Sequence, residues 1–162
     1  MGDVILLNQG GDIMREVTIF DVAKAFLTME SMTHKKLQKL CYYAQAWYLA
    51  LFDEELFPNR IEAWVHGPVS PELYQKYRDY GYQNIPKEVN YPDTINNETY
   101  GFLKELYDIY GVFSGNQLEH LTHQEIPWQQ AREGLGELEP SNNEIKKEIM
   151  KKYYSNILKD KE

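Results

Sequence analysis

The run KKLQKLCYYAQAWYLAL, residues 35–51, does most to limit what this chain can become. Leu37, Leu40, Cys41, Ala44, Trp47, Tyr48 and Leu51 recur at helical spacing, and from Leu40 onward nearly every position is apolar or aromatic. A helix that is apolar on most sides has to be covered on most sides. The run therefore predicts a central helix, capped by Thr33, with other helices packed around it. Its charge is confined to the first two turns, at Lys35, Lys36 and Lys39, and a charge run of this size reads as a solvated face.

The flanking sequence supplies the shell. Thr18 with Asp21 forms a capping box and opens a helix over residues 18–30, with Phe20, Val22, Ala23, Phe26 and Leu27 as its apolar face. Residues 55–57 and 61–65 flank a Pro58-Asn59 turn. In the second run Ile61, Ala63 and Val65 alternate with Glu62, Trp64 and His66, which predicts a small hairpin closed by Gly67-Pro68. Ser70 is an N-cap with Pro71 behind it, starting a helix that runs to about Tyr80 and stops at Gly81. Residues 82–92, with two prolines, read as a loop. A helix over residues 97–110 follows, then a short one over 116–123 opened by Ser114 and Gln117, and another over 128–133 started by Pro127 and closed by Gly134 and Gly136. Ser141 with Glu144 is the clearest capping box. It predicts a final helix to about Leu158 with Ile145, Ile149, Tyr153 and Ile157 on one face. The expected fold is mainly α, a compact bundle of roughly seven helices with one small β-hairpin. Residues 1–17, broken at Gly10-Gly11, read as a leader that is either flexible or a short strand, and residues 18–162 as one domain.

Charge narrows the partners. The chain carries 17 basic and 25 acidic residues, a net of −8, and residues 93–139 hold nine acids against two bases. Such a field repels a phosphate backbone over much of the surface, which makes direct nucleic-acid binding a poor default unless Lys35, Lys36 and Lys39 form an overriding patch. Cys41 is the only cysteine, so there is no intrachain disulfide and no cysteine-based zinc site. No run reaches the length of a membrane span, and MGDVILLNQGG lacks the basic start of a signal peptide. The expected location is the cytoplasm. Thirteen tyrosines exceed what a core needs, and surplus tyrosine suits protein recognition.

Candidate chemistry is thin. His120 and His123 are three apart on an expected helix, with Glu119 and Glu125 nearby, but they lack the His-Glu-x-x-His form and a third ligand. His66 precedes Gly67-Pro68 with no marked nucleophile beside it, and is expected to order the turn by hydrogen bonding while Gly67 supplies an unusual backbone angle. Cys41 reads as a small core residue. No catalytic residue, metal site or cofactor is expected. The aromatic set Tyr74, Tyr77 and Tyr80, with Trp64 and His66 of the hairpin, forms the candidate partner-binding surface.

Three segments carry a family resemblance: KLQKLCYYAQAW (residues 36–47), LFPNRIEAWVHGPVSPELYQKY (residues 56–77) and LTHQEIPWQQAR (residues 121–132). Together they resemble the Panacea, or SocA-like, antitoxin domain, also met in phage-associated proteins. Within them Lys39, Tyr43, Trp47, Gly67, Pro68, His123, Pro127 and Trp128 read as architectural. The resemblance implies a mainly helical domain that binds and neutralises a cognate protein toxin, usually encoded by an adjacent gene. In one branch the toxin is delivered to a Clp-type protease. Other members carry an added DNA-binding segment, for which this sequence shows neither a cysteine set nor a helix-turn-helix outside the domain. The family offers no catalytic residues. The alternatives are a metal-dependent hydrolase using His66, His120 and His123, and a DNA-binding repressor.

Overall fold

A computed structural model describes residues 5–7 and 13–160, with side chains from Glu16 onward. In chain order the elements are β1 (Ile5–Leu7), β2 (Ile13–Arg15), α1 (Ile19–Leu27), α2 (His34–Phe52), β3 (Glu62–Trp64), β4 (Gly67–Val69), α3 (Pro71–Tyr77) with a 3-10 turn over Arg78–Tyr80, α4 (Asn97–Tyr110), α5 (Gly115–His123), α6 (Ile126–Ala131) and α7 (Lys147–Asp160). The expected mainly helical bundle is present, with seven helices among the described residues. Inside the segment read as a leader, β1 pairs antiparallel with β2.

The central position expected for α2 is its actual one: α1, α3, α4, α5 and α7 all pack on it, and α7 does so most extensively. Leu37, Leu40, Cys41, Tyr42, Tyr43, Ala44 and Ala46 are buried along its length. Thr33 caps it, its side chain accepting from the Lys36 N–H. The Thr18–Asp21 capping box also forms, with the Thr18 N–H donating to the Asp21 carboxylate at 2.9 Å. Ser70 and Ser114 cap α3 and α5 as expected, and Gly81, at φ 58°, ends the 3-10 turn. No helix among the described residues is long and apolar enough to cross a membrane.

The hairpin is displaced from its expected position. Residues 55–57 are not a strand. Instead the Gln45 side chain on α2 accepts from the Leu56 N–H at 2.7 Å and donates to the Phe57 carbonyl at 2.6 Å. Asn59 is buried, accepting from the Ile19 N–H at 2.9 Å and donating to Glu72 at 3.0 Å. Leaving such buried groups unpaired costs about 1–3 kcal/mol each, so the amide side chains decide the path of the backbone. The strand runs one step later. Glu62 pairs with Val69 and Trp64 with Gly67, so that Val65-His66 is the turn and Gly67-Pro68 belongs to β4.

A second correction concerns α7. Ser141 and Glu144 do not cap it; the Ser141 hydroxyl accepts from the Asn143 N–H, and Glu144 forms an antiparallel bridge to Glu62. The Ala63 N–H donates to the Asn143 carbonyl at 2.8 Å and the Ile145 N–H to the Ile61 carbonyl at 2.9 Å, so residues 143–145 extend the hairpin on its other edge. Their backbone groups are taken by the sheet, and the helix waits until Lys147. Its buried face centres on Met150 and Tyr154, one position on from the face expected through Ile149 and Tyr153.

Half-way along α2 an aromatic cluster joins three helices. Tyr43 and Tyr154 both donate to the Glu125 carboxylate, at 2.7 and 2.9 Å. The Tyr42 and Tyr154 hydroxyls are 3.1 Å apart, and since the one proton of Tyr154 goes to Glu125, Tyr42 is the donor there. Trp47 donates to Tyr110 at 2.8 Å, and the Tyr110 ring stacks on Tyr43 at 4.1 Å. Burial raises the Glu125 carboxyl above its ordinary value, partly offset by the two phenol donors.

Candidate functional site

The β3–β4 hairpin is gripped from below by α2. The Gln38 side chain donates to the Ser70 carbonyl at 3.0 Å and accepts from the Ser70 N–H at 2.9 Å, copying a strand ladder with a side-chain amide. Lys39, one residue on, is 1% exposed and donates to the Pro68 carbonyl at 3.2 Å. Gly67 crosses directly over this lysine at φ 110°, and a Cβ there would stand 2.6 Å from Lys39 Cε. The glycine is therefore required twice, for its backbone angle and for the approach. Lys36 is also buried, held by both Glu30 oxygens at 3.0 Å and by the Gly111 carbonyl at 2.7 Å. The solvated face expected for Lys36 and Lys39 is thus corrected: the packing of the hairpin and of α4 covers them. Burial, with a contribution from Lys35 and against the pull of Glu119, lowers the Lys39 amine to about 7.

Two residues of the segment over 121–132 fasten β3. The Trp128 indole donates to the Trp64 carbonyl at 2.9 Å, and Arg132 donates to the Ala63 carbonyl at 3.1 Å. The same guanidinium reaches the Gly136 and Glu139 carbonyls. His123 stacks on Trp128 at 3.9 Å, its buried Nε2 without a hydrogen-bond partner among the described residues, and burial lowers its ionisation.

The tip of the hairpin faces the other way. The His66 side chain is 71% exposed, with Nδ1 3.3 Å from Glu119. Glu119 also takes Lys35 at 2.7 Å; against the upward push of burial, these two hydrogen bonds hold its carboxyl below the ordinary value. Trp64 is half-buried, its ring 5.0 Å from that of Tyr74, which in turn lies 5.8 Å from His34. A cleft of about 540 Å³ opens between Trp64, Val65 and His66 on one side and Pro140, Ser141 and Asn142 on the other. It lies beyond the point where the pairing of residues 61–63 with 143–145 ends.

The structure sets Trp64 against Tyr74 and beside His66 on the cleft, and places Tyr77 and Tyr80 on a different cleft. Tyr77 is buried beside Tyr80, which lines that second cleft with Phe20. Tyr43 and Trp47 sit in the aromatic cluster, and Pro127 lies in the first turn of α6, which begins one residue earlier, at Ile126. His120 is not directed at His123 or His66 but contacts the Gln124 amide at 2.6 Å. Among the described residues no group of three His, Cys, Asp or Glu is placed to hold a metal ion, so the geometry of a three-histidine site is not formed. Cys41 is buried in the core, and burial pushes its thiol up. Sequence reasoning gave no role to Gln38 and Arg132, although both lie inside segments already singled out, and named Glu119 only as a neighbour of His120 and His123.

The family model described as antitoxin SocA-like, Panacea domain, matches residues 37–129, more than half of the chain. The chain belongs to the SocA-like Panacea antitoxin family. No curated protein and no solved structure matches it. The Panacea match begins in the first turn of α2 and ends in α6, so it contains the hairpin, its lysine support and the Trp128 fastening. It leaves out α1 and α7, which cover α2 from outside the matched segment.

Proposed function

We propose that this protein neutralises a cognate protein toxin by stoichiometric binding, without catalysis, and that the toxin docks on the hairpin tip and its cleft at Trp64, His66 and Tyr74. The observation that carries the reading, beside membership of an antitoxin-type family, is the contrast between the two sides of the hairpin. Its underside is fixed by Gln38, Lys39, Trp128 and Arg132. Its tip presents an exposed imidazole and a half-buried indole beside an open cleft. A rigid platform with exposed aromatic groups binds without a large ordering cost. Tyr77 is withdrawn into the core, away from that platform. The partner is expected to be encoded by an adjacent gene, and the pair to act in the cytoplasm.

The domain on this reading comprises residues 18–162, because α1 and α7 bury the flanks of α2 that the matched segment leaves open. The test is co-expression of the adjacent open reading frame with this chain, and with a Trp64→Ala/His66→Glu variant. Rescue of growth and co-purification by the wild type, with loss of both by the variant, is the expected result. A toxic neighbour that is neither rescued nor bound by the wild type sinks the proposal; rescue by the variant moves the interface elsewhere.

A further inference from the structure

A second cleft, of about 460 Å³, lies between α1, the 3-10 turn after α3 and the loop that follows it. Three lysines line it, Lys24 from α1, Lys76 from α3 and Lys87 from the loop. None of them has a carboxylate within 4.0 Å among the described residues, a state shared with Lys39, Lys146, Lys152 and Lys159 and not with Lys35, Lys36, Lys104, Lys147 and Lys151. Of the two acids in the same cleft, Asp21 is already engaged by the Thr18 N–H at 2.9 Å and hydroxyl at 3.2 Å. Glu88 is the other. In a chain of net −8, three lysines against these two acids leave this cleft one positive charge in excess.

The cleft also carries aromatic rings among its charges and has a fixed wall. The Lys76 ammonium stands 5.5 Å from the ring centres of both Phe20 and Tyr77, and Tyr80 adds a third ring. The loop wall is tied down by the Ile85 N–H to the Met32 carbonyl at 2.8 Å, by the Glu88 N–H to Leu27 at 2.9 Å and by Ser31 to the Ile85 carbonyl at 2.7 Å. A preformed recess that combines lysines with aromatic rings matches a chain that alternates carboxylates with apolar side chains. It offers neither an arginine fork nor a glycine-rich nest, the usual means of gripping a phosphate.

We propose that this cleft docks an acidic segment of a partner protein, carboxylates meeting Lys24, Lys76 and Lys87 while an apolar side chain covers Phe20 and Tyr80. The inference rests on the reading that the protein acts by binding another protein, and it places a second contact away from the hairpin tip. The test titrates the full chain with a labelled synthetic peptide alternating Glu and Phe, read by fluorescence anisotropy at low and high salt, with inorganic phosphate as competitor. The expected result is saturable binding that weakens by about tenfold at high salt. A Lys24→Glu/Lys76→Glu/Lys87→Glu variant should weaken it at least as much, while a Lys104→Glu/Lys151→Glu variant retains it. Should the triple variant lose its helical signal, Lys76→Met serves in its place. Equal binding by the reversed and wild-type chains, or a peptide displaced as readily by phosphate as by unlabelled peptide, overturns the proposal. The readout needs no toxin, so failure of growth rescue and failure of peptide binding are separate results.

Discussion

The first turns of α2 and its middle both bury ionisable groups, but of opposite kinds. At the hairpin end the helix buries a cation of its own, Lys39, with the Pro68 carbonyl as its hydrogen-bond acceptor. Half-way along, it buries neutral phenols that converge on a carboxylate contributed from the start of α6. A lysine held by one neutral acceptor is poorly compensated, and its ionisation falls into the neutral range. The phenols of Tyr42, Tyr43 and Tyr154 are driven upward by burial, out of that range. The support of the hairpin thus holds a group whose ionisation falls near neutrality, whereas the phenols of the aromatic cluster are moved further from it and only its carboxylate, Glu125, is raised towards it.

Removing residues 140–162 attacks the aromatic side and carries the largest expected effect. It takes away Met150, Tyr154 and the strand segment over 143–145, and we expect no cooperative urea transition. A sharp transition in the shortened chain would show that the domain ends before α7. Gly67→Ala attacks the hairpin side, forcing a side chain into φ 110° and against Lys39 Cε, for an expected loss of about 2–3 kcal/mol. In a Lys39→Ala background that penalty should shrink; if it does not, the contact is not its cause.

The pH contrast is tested by unfolding at pH 7 and pH 9. The amine of folded Lys39 titrates at about 7 and that of the unfolded chain at about 10.5. Between these values the unfolded state holds the extra proton, so stability rises with pH, by up to about 1.4 kcal/mol per unit, and Lys39→Met should flatten the rise. Tyr154→Phe is the smallest change, about 1 kcal/mol, and should leave the slope as it was. A slope altered by Tyr154→Phe and untouched by Lys39→Met would reverse the comparison.

The helices were legible because burial imposes a period on the chain. The run at residues 35–51, the boxes at Thr18 and Ser114, and the Ser70-Pro71 start all lead to helices close to where they are found. The hairpin was misplaced because its register is set by residues distant in sequence: Gln45 takes the backbone of residues 56–57, and Asn143 and Ile145 take that of residues 61–63. The same competition cancels the capping box at Ser141. Of the candidate site, Trp64, His66 and Tyr74 were singled out by hairpin alternation and aromatic spacing, and the structure places Trp64 beside the other two. Tyr77 and Tyr80 fell away because i, i+3 spacing does not say which neighbour each ring meets. Lys39 could not be recognised as buried from its own helix, since what covers it, Gly67-Pro68, comes nearly thirty residues later.

The bond from Ala63 to Asn143 also bears on how the protein is made. A ribosome delivers residue 63 long before residue 143, and until then one edge of β3 has no chain to pair with. The helices between them form from local contacts, but the hairpin edge closes only when the C-terminal stretch arrives. The face on which we place the toxin is therefore completed only as the C-terminal stretch that also carries α7 arrives, and a nascent or prematurely ended chain lacks both a finished binding surface and a closed bundle.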